Sequence, residues 1–160
     1  MGIADMLIKL GLTYGSDEAV QFCNNLARLL ITTATLESCS LAIHNGMYEE
    51  CRPLLISESP FFKHYAEGTV LQEMVKHHGL RNSQLLTIAP TGTLSTMLGI
   101  SGGIEPIFAN SYTRKTESLH GEDVYYKVYT PIVDQYMKDY NITEEEDLPE
   151  FFVTAKDISY

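Results

Sequence analysis

From Ser16 to Asn45-Gly46 the apolar residues Ala19, Phe22, Cys23, Leu26, Leu29, Leu30 and Ala34 recur at helical spacing. Ser16-Asp17-Glu18 supplies an N-cap hydroxyl and two acids where the helix dipole favours negative charge, and Asn45-Gly46 is a strong C-terminal stop. The helix so defined runs for roughly 28 residues, or about 42 Å. Its middle, "ARLLITTATLESCSLA", is weakly polar on nearly every side. A helix of that kind belongs in the centre of a fold and needs other elements to cover it, so the rest of the chain must be read as its covering.

Two shorter helices follow. Ser59-Pro60 gives a cap and a first-turn proline with Gly68 as the stop, and Thr69 with Gln72 has the spacing of a capping box ahead of Val70, Leu71, Met74 and Val75, ended by Gly79. "QLLTIAP" then switches to a short β-branched run that reads as a buried strand, with a helix starting near Thr93. "IEPIFANSYTRKT" and "DVYYKVYT" read as extended segments, the second as an aromatic strand with a core face, and Pro131 to Tyr140 as a last helix. The fold class is α/β and helix-dominated, with residues 1–160 as a single domain and no linker to a second. One strand and two extended segments are few partners for so much apolar helix. Met1-Gly2-Ile3-Ala4 also begins inside an apolar helix with no cap before it. Both features suit a piece of a larger α/β barrel.

The chain carries 21 acidic against 11 basic side chains, a formal charge of −10, so a nucleic-acid backbone is repelled over most of the surface. Cys23, Cys39 and Cys51 form neither an even disulfide set nor a CxxC pair, which predicts reduced core residues and a cytoplasmic location. No run approaches 18 uncharged apolar residues, and Asp5 and Lys9 follow Met1 where a signal peptide would be apolar, so neither a membrane nor export is expected.

The stretch with most chemical promise is "APTGTLSTMLGISGGIEP", positions 89 to 106, which holds five Ser or Thr hydroxyls and four glycines. A phosphate needs several donors converging on one point, and the first amides of a helix supply them with a favourable dipole. Gly92 allows backbone to approach a ligand closely, while Thr91, Thr93 and Ser95 add hydroxyls. The GK[ST] ending of a nucleotide P-loop is absent. An ordinary Ser/Thr-capped helix that binds nothing accounts for the same residues. Elsewhere, His77 and His78 point about 100° apart on a helix and suit its C-terminal dipole rather than a metal. His44, His64 and His120 have no carboxylate or cysteine at ligand spacing, and "TEEED" reads as a solvated acidic surface; Glu105 reads either as an acid or ion-pair partner near a ligand or, the preferred reading, as a residue that only caps a turn. No nucleophile and base arrangement is identifiable.

At "TIAPTGTLSTMLGISGGIEPIFANSYTRK" the chain resembles the large catalytic subunit of ribonucleotide reductases, most closely the adenosylcobalamin-dependent (class II) ribonucleoside-diphosphate reductases. "MGIADMLIKLGLTYGSDEAV" is similar to the segment just after that family's active-site finger loop, and "LPEFFVTAKDI" to a stretch further along its barrel. The resemblance implies part of the second half of a ten-stranded α/β barrel. It also implies that Pro90, Thr91, Gly92, Thr93, Leu94 and Ser95 hold the diphosphate of a ribonucleoside diphosphate substrate. The parent enzyme would use adenosylcobalamin to start radical reduction of the ribose, the segment itself binding no cofactor, and the rest of the barrel would be its partner, with self-association when alone.

The departures bear on activity. The family's Asn-x-Cys-x-Glu finger loop, with its radical cysteine and catalytic glutamate, has no match, and Cys23, Cys39 and Cys51 do not replace it. Gly102 stands where relatives often carry Ser or Cys, and Lys156 where His is common. Two functional expectations follow: an enzyme segment that keeps the diphosphate loop but is inactive alone, or a catalytically dead phosphometabolite-binding or scaffold module of the same ancestry. A wholly helical interaction domain without a ligand is the third.

Overall fold

The structure is a computed structural model that describes residues 1–117 and 123–158, so His120 lies outside the described residues. In chain order the elements are α1 (Ile3–Lys9), α2 (Asp17–Asn45), α3 (Pro53–Ser57), α4 (Pro60–Ala66), α5 (Val70–His78), α6 (Gly92–Leu98), β1 (Ser111–Glu117), β2 (Asp123–Tyr129) and α7 (Pro131–Tyr140), with a 3-10 turn at Glu145–Asp147. Contacts divide them into two compact units, one of Met1–Val20 with Ile88–Tyr160 and the other Gln21–Thr87. The result is helix-rich, with a single two-stranded sheet among the described residues and no visible barrel.

In the second unit, Cys39 of α2 joins Phe62, Ala66, Leu71, Val75 and Leu80 in a core. Ser38 and Asn82 tie α2 to the segment after α5: the Ser38 hydroxyl donates to Asn82 Oδ1 at 3.0 Å and accepts from the Asn82 amide at 3.0 Å. Beyond Ala19 in its first turn, the buried face of α2 is narrow, consisting of Thr35, Ser38, Cys39 and Ala42, while Leu29, Leu30, Leu36, Leu41 and Ile43 are exposed. This corrects the expectation of a buried helix, because α3, α4 and α5 are too short to surround one of 29 residues. By length and composition α2 would also cross a membrane, a test that core helices of soluble proteins pass too, and Arg28 and Glu37 interrupt its middle.

Capping is partly as expected. Ser16 Oγ accepts from the Ala19 amide at 3.1 Å, and Ser59 Oγ from the Phe62 amide at 3.3 Å. Thr69 and Gln72 do not form the reciprocal box. Thr69 Oγ1 donates to Ala66 O at 2.6 Å, and Gln72 Oε1 accepts from the Gly68 amide at 2.9 Å. The hydroxyl thus finishes the preceding helix, leaving the next one without a side-chain cap.

In the first unit, Ala4 and Ile8 of α1, Ile107, Val133 and Met137 of α7, and Phe152 form a core with Tyr136 packed against it. β1 and β2 pair antiparallel from Ser111 opposite Tyr129 to Glu117 opposite Asp123. The expected core face of the aromatic strand is not seen: Val124, Tyr125 and Tyr126 are exposed, and only Val128 and Tyr129 are half-buried, since a two-stranded ribbon has no layer over it. "QLLTIAP" is no strand either. It has no neighbouring strand to pair with among the described residues, and a strand is defined by its ladder.

Candidate functional site

The glycine- and hydroxyl-rich stretch makes one turn of chain around the start of α6. The Ser95 amide donates to Thr91 O at 2.8 Å, closing the first helical turn. The Ser95 hydroxyl donates to Gly92 O at 2.9 Å, as does the Thr96 hydroxyl. Gly99, at φ 66, stops α6, and the Ile100 amide returns to Ser95 O at 3.0 Å. The loop then doubles back until the Gly103 amide donates to Thr91 Oγ1 at 3.1 Å. The amides of Gly92, Thr93 and Leu94 are left without a partner among the described residues, as the first turn of any helix leaves them.

Between these two strands of chain lies a groove of about 640 Å³. Pro90, Thr91, Gly92 and Ser95 line one bank, and Gly102, Gly103 and Glu105 the other. Thr93 and Leu94 stand outside its wall, both exposed. Four of the six residues expected at the site are therefore brought together in the groove, and Thr93 and Leu94 are not part of its lining. The hydroxyls differ from expectation. Those of Thr91 and Ser95 hold the turn and its return loop together, and Ser95, only 4% exposed, is an internal brace. Short hydroxyl side chains bond nearby free backbone groups first, Ser95 a carbonyl and Thr91 an amide.

Of the four glycines at the groove, Gly92, Gly102 and Gly103 differ in what requires them. Gly103 adopts φ +49, and a Cβ there would collide with the Glu105 carboxylate, which folds back over it. At Gly102 a Cβ would come within 3.2 Å of Ser95 Oγ. Gly92 is required by neither test: its φ is not positive, and a Cβ would meet nothing within 4 Å.

Asp5 belongs to the same groove but escaped the sequence reading. Its carboxylate, on the buried face of α1 beside Ala4, Leu7 and Ile8, accepts the Ser101 amide at 2.7 Å across 96 residues of sequence. A charged residue at an apolar position of an amphipathic helix was the available signal.

The other candidates have structural uses. His77 Nε2 lies 3.5 Å from Glu73 Oε2 at the exposed end of α5, and no cluster of three or more metal-ligating side chains exists among the described residues. The three cysteines are free. Cys39 donates its thiol to Gly79 O at 3.2 Å, and burial, with Cys51 nearby, pushes that thiol up to about 11. Within the acidic segment Glu145 is half-buried and accepts from Lys127 Nζ at 2.6 Å and Ser111 Oγ at 2.9 Å. Hydrogen bonding to Lys127 holds its carboxyl below the usual range, so this residue is an anchor for β2 rather than solvated surface.

The family described as "Ribonucleotide reductase, barrel domain" matches residues 1–159. The chain belongs to that family. Among its curated relatives, a ribonucleoside-diphosphate reductase subunit alpha of Chlamydia trachomatis serovar D is 32% identical over 149 residues, covering 81% of this chain and 14% of the relative. A vitamin B12-dependent ribonucleoside-diphosphate reductase of Mycobacterium tuberculosis is 30% identical over 150 residues, covering 94% of this chain and 18% of the relative. Another of that name, from Thermoplasma acidophilum, is 32% identical over 146 residues, covering 91% and 16%. The chain thus spans less than a fifth of the length of these reductases. The lining of the groove falls inside the part of the chain matched by the ribonucleotide reductase barrel domain, and the relatives above are named as ribonucleoside-diphosphate reductases.

Proposed function

We propose that this segment supplies the substrate diphosphate cradle of a ribonucleoside-diphosphate reductase, and that residues 1–160 form one domain within the second half of its ten-stranded barrel. The observation that carries the proposal is Gly92. A glycine at the first position of α6 costs stability relative to alanine, and neither backbone conformation nor packing asks for one there. Bare backbone at the mouth of a groove, beside the unpaired amides of Thr93 and Leu94, is what a close-lying phosphate requires.

Each of the six residues then has a task. The amides of Gly92, Thr93 and Leu94 donate to phosphate oxygens, with the Thr93 hydroxyl free to join them. Thr91 and Ser95 fix the turn's shape, and Pro90 leads the chain into it. The cradle holds and orients the substrate while the ribose chemistry takes place on groups supplied from elsewhere in the enzyme. The test is titration of the full-length reductase carrying this segment with ribonucleoside diphosphates and with the matching nucleosides. Equal affinities for the two sets would leave the cradle without a role, and the module reading would take its place.

By kinship with the B12-dependent relatives, the cofactor of the whole enzyme is adenosylcobalamin, which when bound supplies the radical that starts reduction. The groove's two carboxylates, Asp5 and Glu105, do not suit a corrin, and among the described residues no cluster of three or more metal-ligating side chains is present. The purified 160-residue chain is expected to form no deoxynucleotide with or without adenosylcobalamin, because no cysteine occupies a finger loop. Any cobalamin-dependent product would overturn that expectation.

The remainder of the barrel is the proposed partner, in a cytoplasmic enzyme. Leu29, Leu30 and Ile43 on α2 and Met97 and Phe108 in the other unit are all about half to three-quarters exposed, an unusual amount of open apolar side chain. The isolated chain should therefore self-associate. Static light scattering that reads a strict monomer at high concentration would contradict this.

A further inference from the structure

We infer that Asp5 is a positioning residue for the diphosphate cradle, acting through the backbone of Ser101. The inference rests on reading Pro90 to Ser95 as that cradle.

Ser101 is held by the first turn of α1 at three atoms. Its amide donates to Asp5 Oδ2 at 2.7 Å, its carbonyl accepts the Gly2 amide at 2.9 Å, and its hydroxyl accepts the Asp5 amide at 3.4 Å. Asp5 is 8% exposed, and a buried carboxylate is costly unless hydrogen bonds compensate it. A neutral side chain would fill the same space more cheaply. What the carboxylate adds is the short, charge-assisted bond to one backbone amide.

The next two residues pass that hold on to the cradle. Gly102 lies against Ser95, with the position of its missing Cβ 3.2 Å from the hydroxyl oxygen, and the Gly103 amide donates to Thr91 Oγ1 at 3.1 Å. Thr91 and Ser95 are the two residues whose bonds shape the turn carrying the unpaired amides. The return loop contains Gly99, Gly102 and Gly103, so unrestrained it would sample many conformations. Asp5, itself in the lining of the same groove, removes that freedom by holding Ser101. Cradle amides need alignment on the ligand to within a fraction of an ångström, which a loosened loop does not give.

The experiment compares Asp5→Ala and Asp5→Asn with the unmodified full-length reductase. Each is titrated with ADP, CDP, GDP and UDP and with the four matching nucleosides, and melting temperature is recorded alongside. Asp5→Ala is expected to weaken diphosphate binding about 10-fold while nucleoside binding changes by less than about twofold, one tenfold step being 1.4 kcal/mol. Asp5→Asn keeps an acceptor oxygen and should stay within about threefold of the unmodified protein. A merely structural staple would lower the melting temperature and the active fraction but leave the diphosphate-to-nucleoside ratio of the folded fraction unchanged. An unchanged ratio in Asp5→Ala overturns the inference, as does an Asp5→Asn as impaired as Asp5→Ala. If Asp5→Ala does not fold, Asp5→Glu, which displaces the carboxylate by one methylene, must show the same selective loss. Gly92→Val is run in parallel. If it too leaves the ratio unchanged, the cradle reading fails, whereas loss in Gly92→Val alone removes only the role of Asp5.

Discussion

Replacing Gly92 by valine in the full-length reductase should weaken binding of ribonucleoside diphosphates about 100-fold, or about 2.7 kcal/mol, with nucleoside affinity within about threefold of the unmodified protein. The estimate corresponds to loss of one or two charge-assisted hydrogen bonds at about 1.5 to 3 kcal/mol each. A Cβ at the first position of α6 meets nothing within 4 Å, so the side chain is expected to obstruct a bound phosphate without disturbing the packing beneath it. Stability should barely change. Gly92→Ala makes the argument sharper, because the two effects have opposite signs. Alanine suits the helical backbone and should stabilise the fold by about 0.4 to 1 kcal/mol, yet its methyl group already crowds the ligand. Ser95→Ala is expected to perturb diphosphate binding less than either, since its hydroxyl proton is already given to Gly92 O. Isothermal titration with paired diphosphates and nucleosides reads all three. If valine lowers nucleoside affinity as much as diphosphate affinity, the turn is a structural element and the cradle reading is wrong.

What the sequence disclosed and what it concealed divide along a physical line. Features set by neighbours in sequence were legible: Ser16 and Ser59 cap the helices they were expected to cap, Gly46, Gly68 and Gly79 end them, and α7 runs from Pro131 to Tyr140. Features that depend on a partner far along the chain were not. "QLLTIAP" has the composition of a strand, but a ladder needs a second strand, and none lies beside it among the described residues. The apolar faces of α2 reveal an appetite for burial, and only tertiary structure decides whether it is met. At the site the same division recurs. Thr91, Gly92 and Ser95 were legible as a turn, but whether a hydroxyl points at a ligand or at a neighbouring carbonyl depends on local geometry that spacing does not encode. Asp5 was hidden because its partner, Ser101, is 96 residues away.

Gly79→Ala should destabilise the chain by about 2 to 4 kcal/mol, a large share of the roughly 5 to 15 kcal/mol that holds a typical domain folded. Gly79 ends α5 at φ 65 and ψ −158, a region that glycine alone adopts without strain. A Cβ there would also press on the Met47 side chain, 2.8 Å from its Cγ, and on Cys51 Sγ at 3.0 Å. Met47 is half-exposed and can swing aside, but Cys51 cannot move without loosening its bond from the Leu80 amide. The same peptide unit is held from the other side, because Cys39, kept protonated by its raised thiol pKa, donates to Gly79 O. Strain at Gly79 therefore spreads to both cysteines of the unit's core. Gly46→Ala is the control. Gly46 also has a positive φ, +81, yet nothing lies within 4 Å of its missing Cβ, so its cost is the backbone term alone, about 1 to 2 kcal/mol. Urea unfolding followed by circular dichroism measures the difference. If the two variants lose equal stability, packing around Gly79 contributes nothing and the conformational penalty accounts for both.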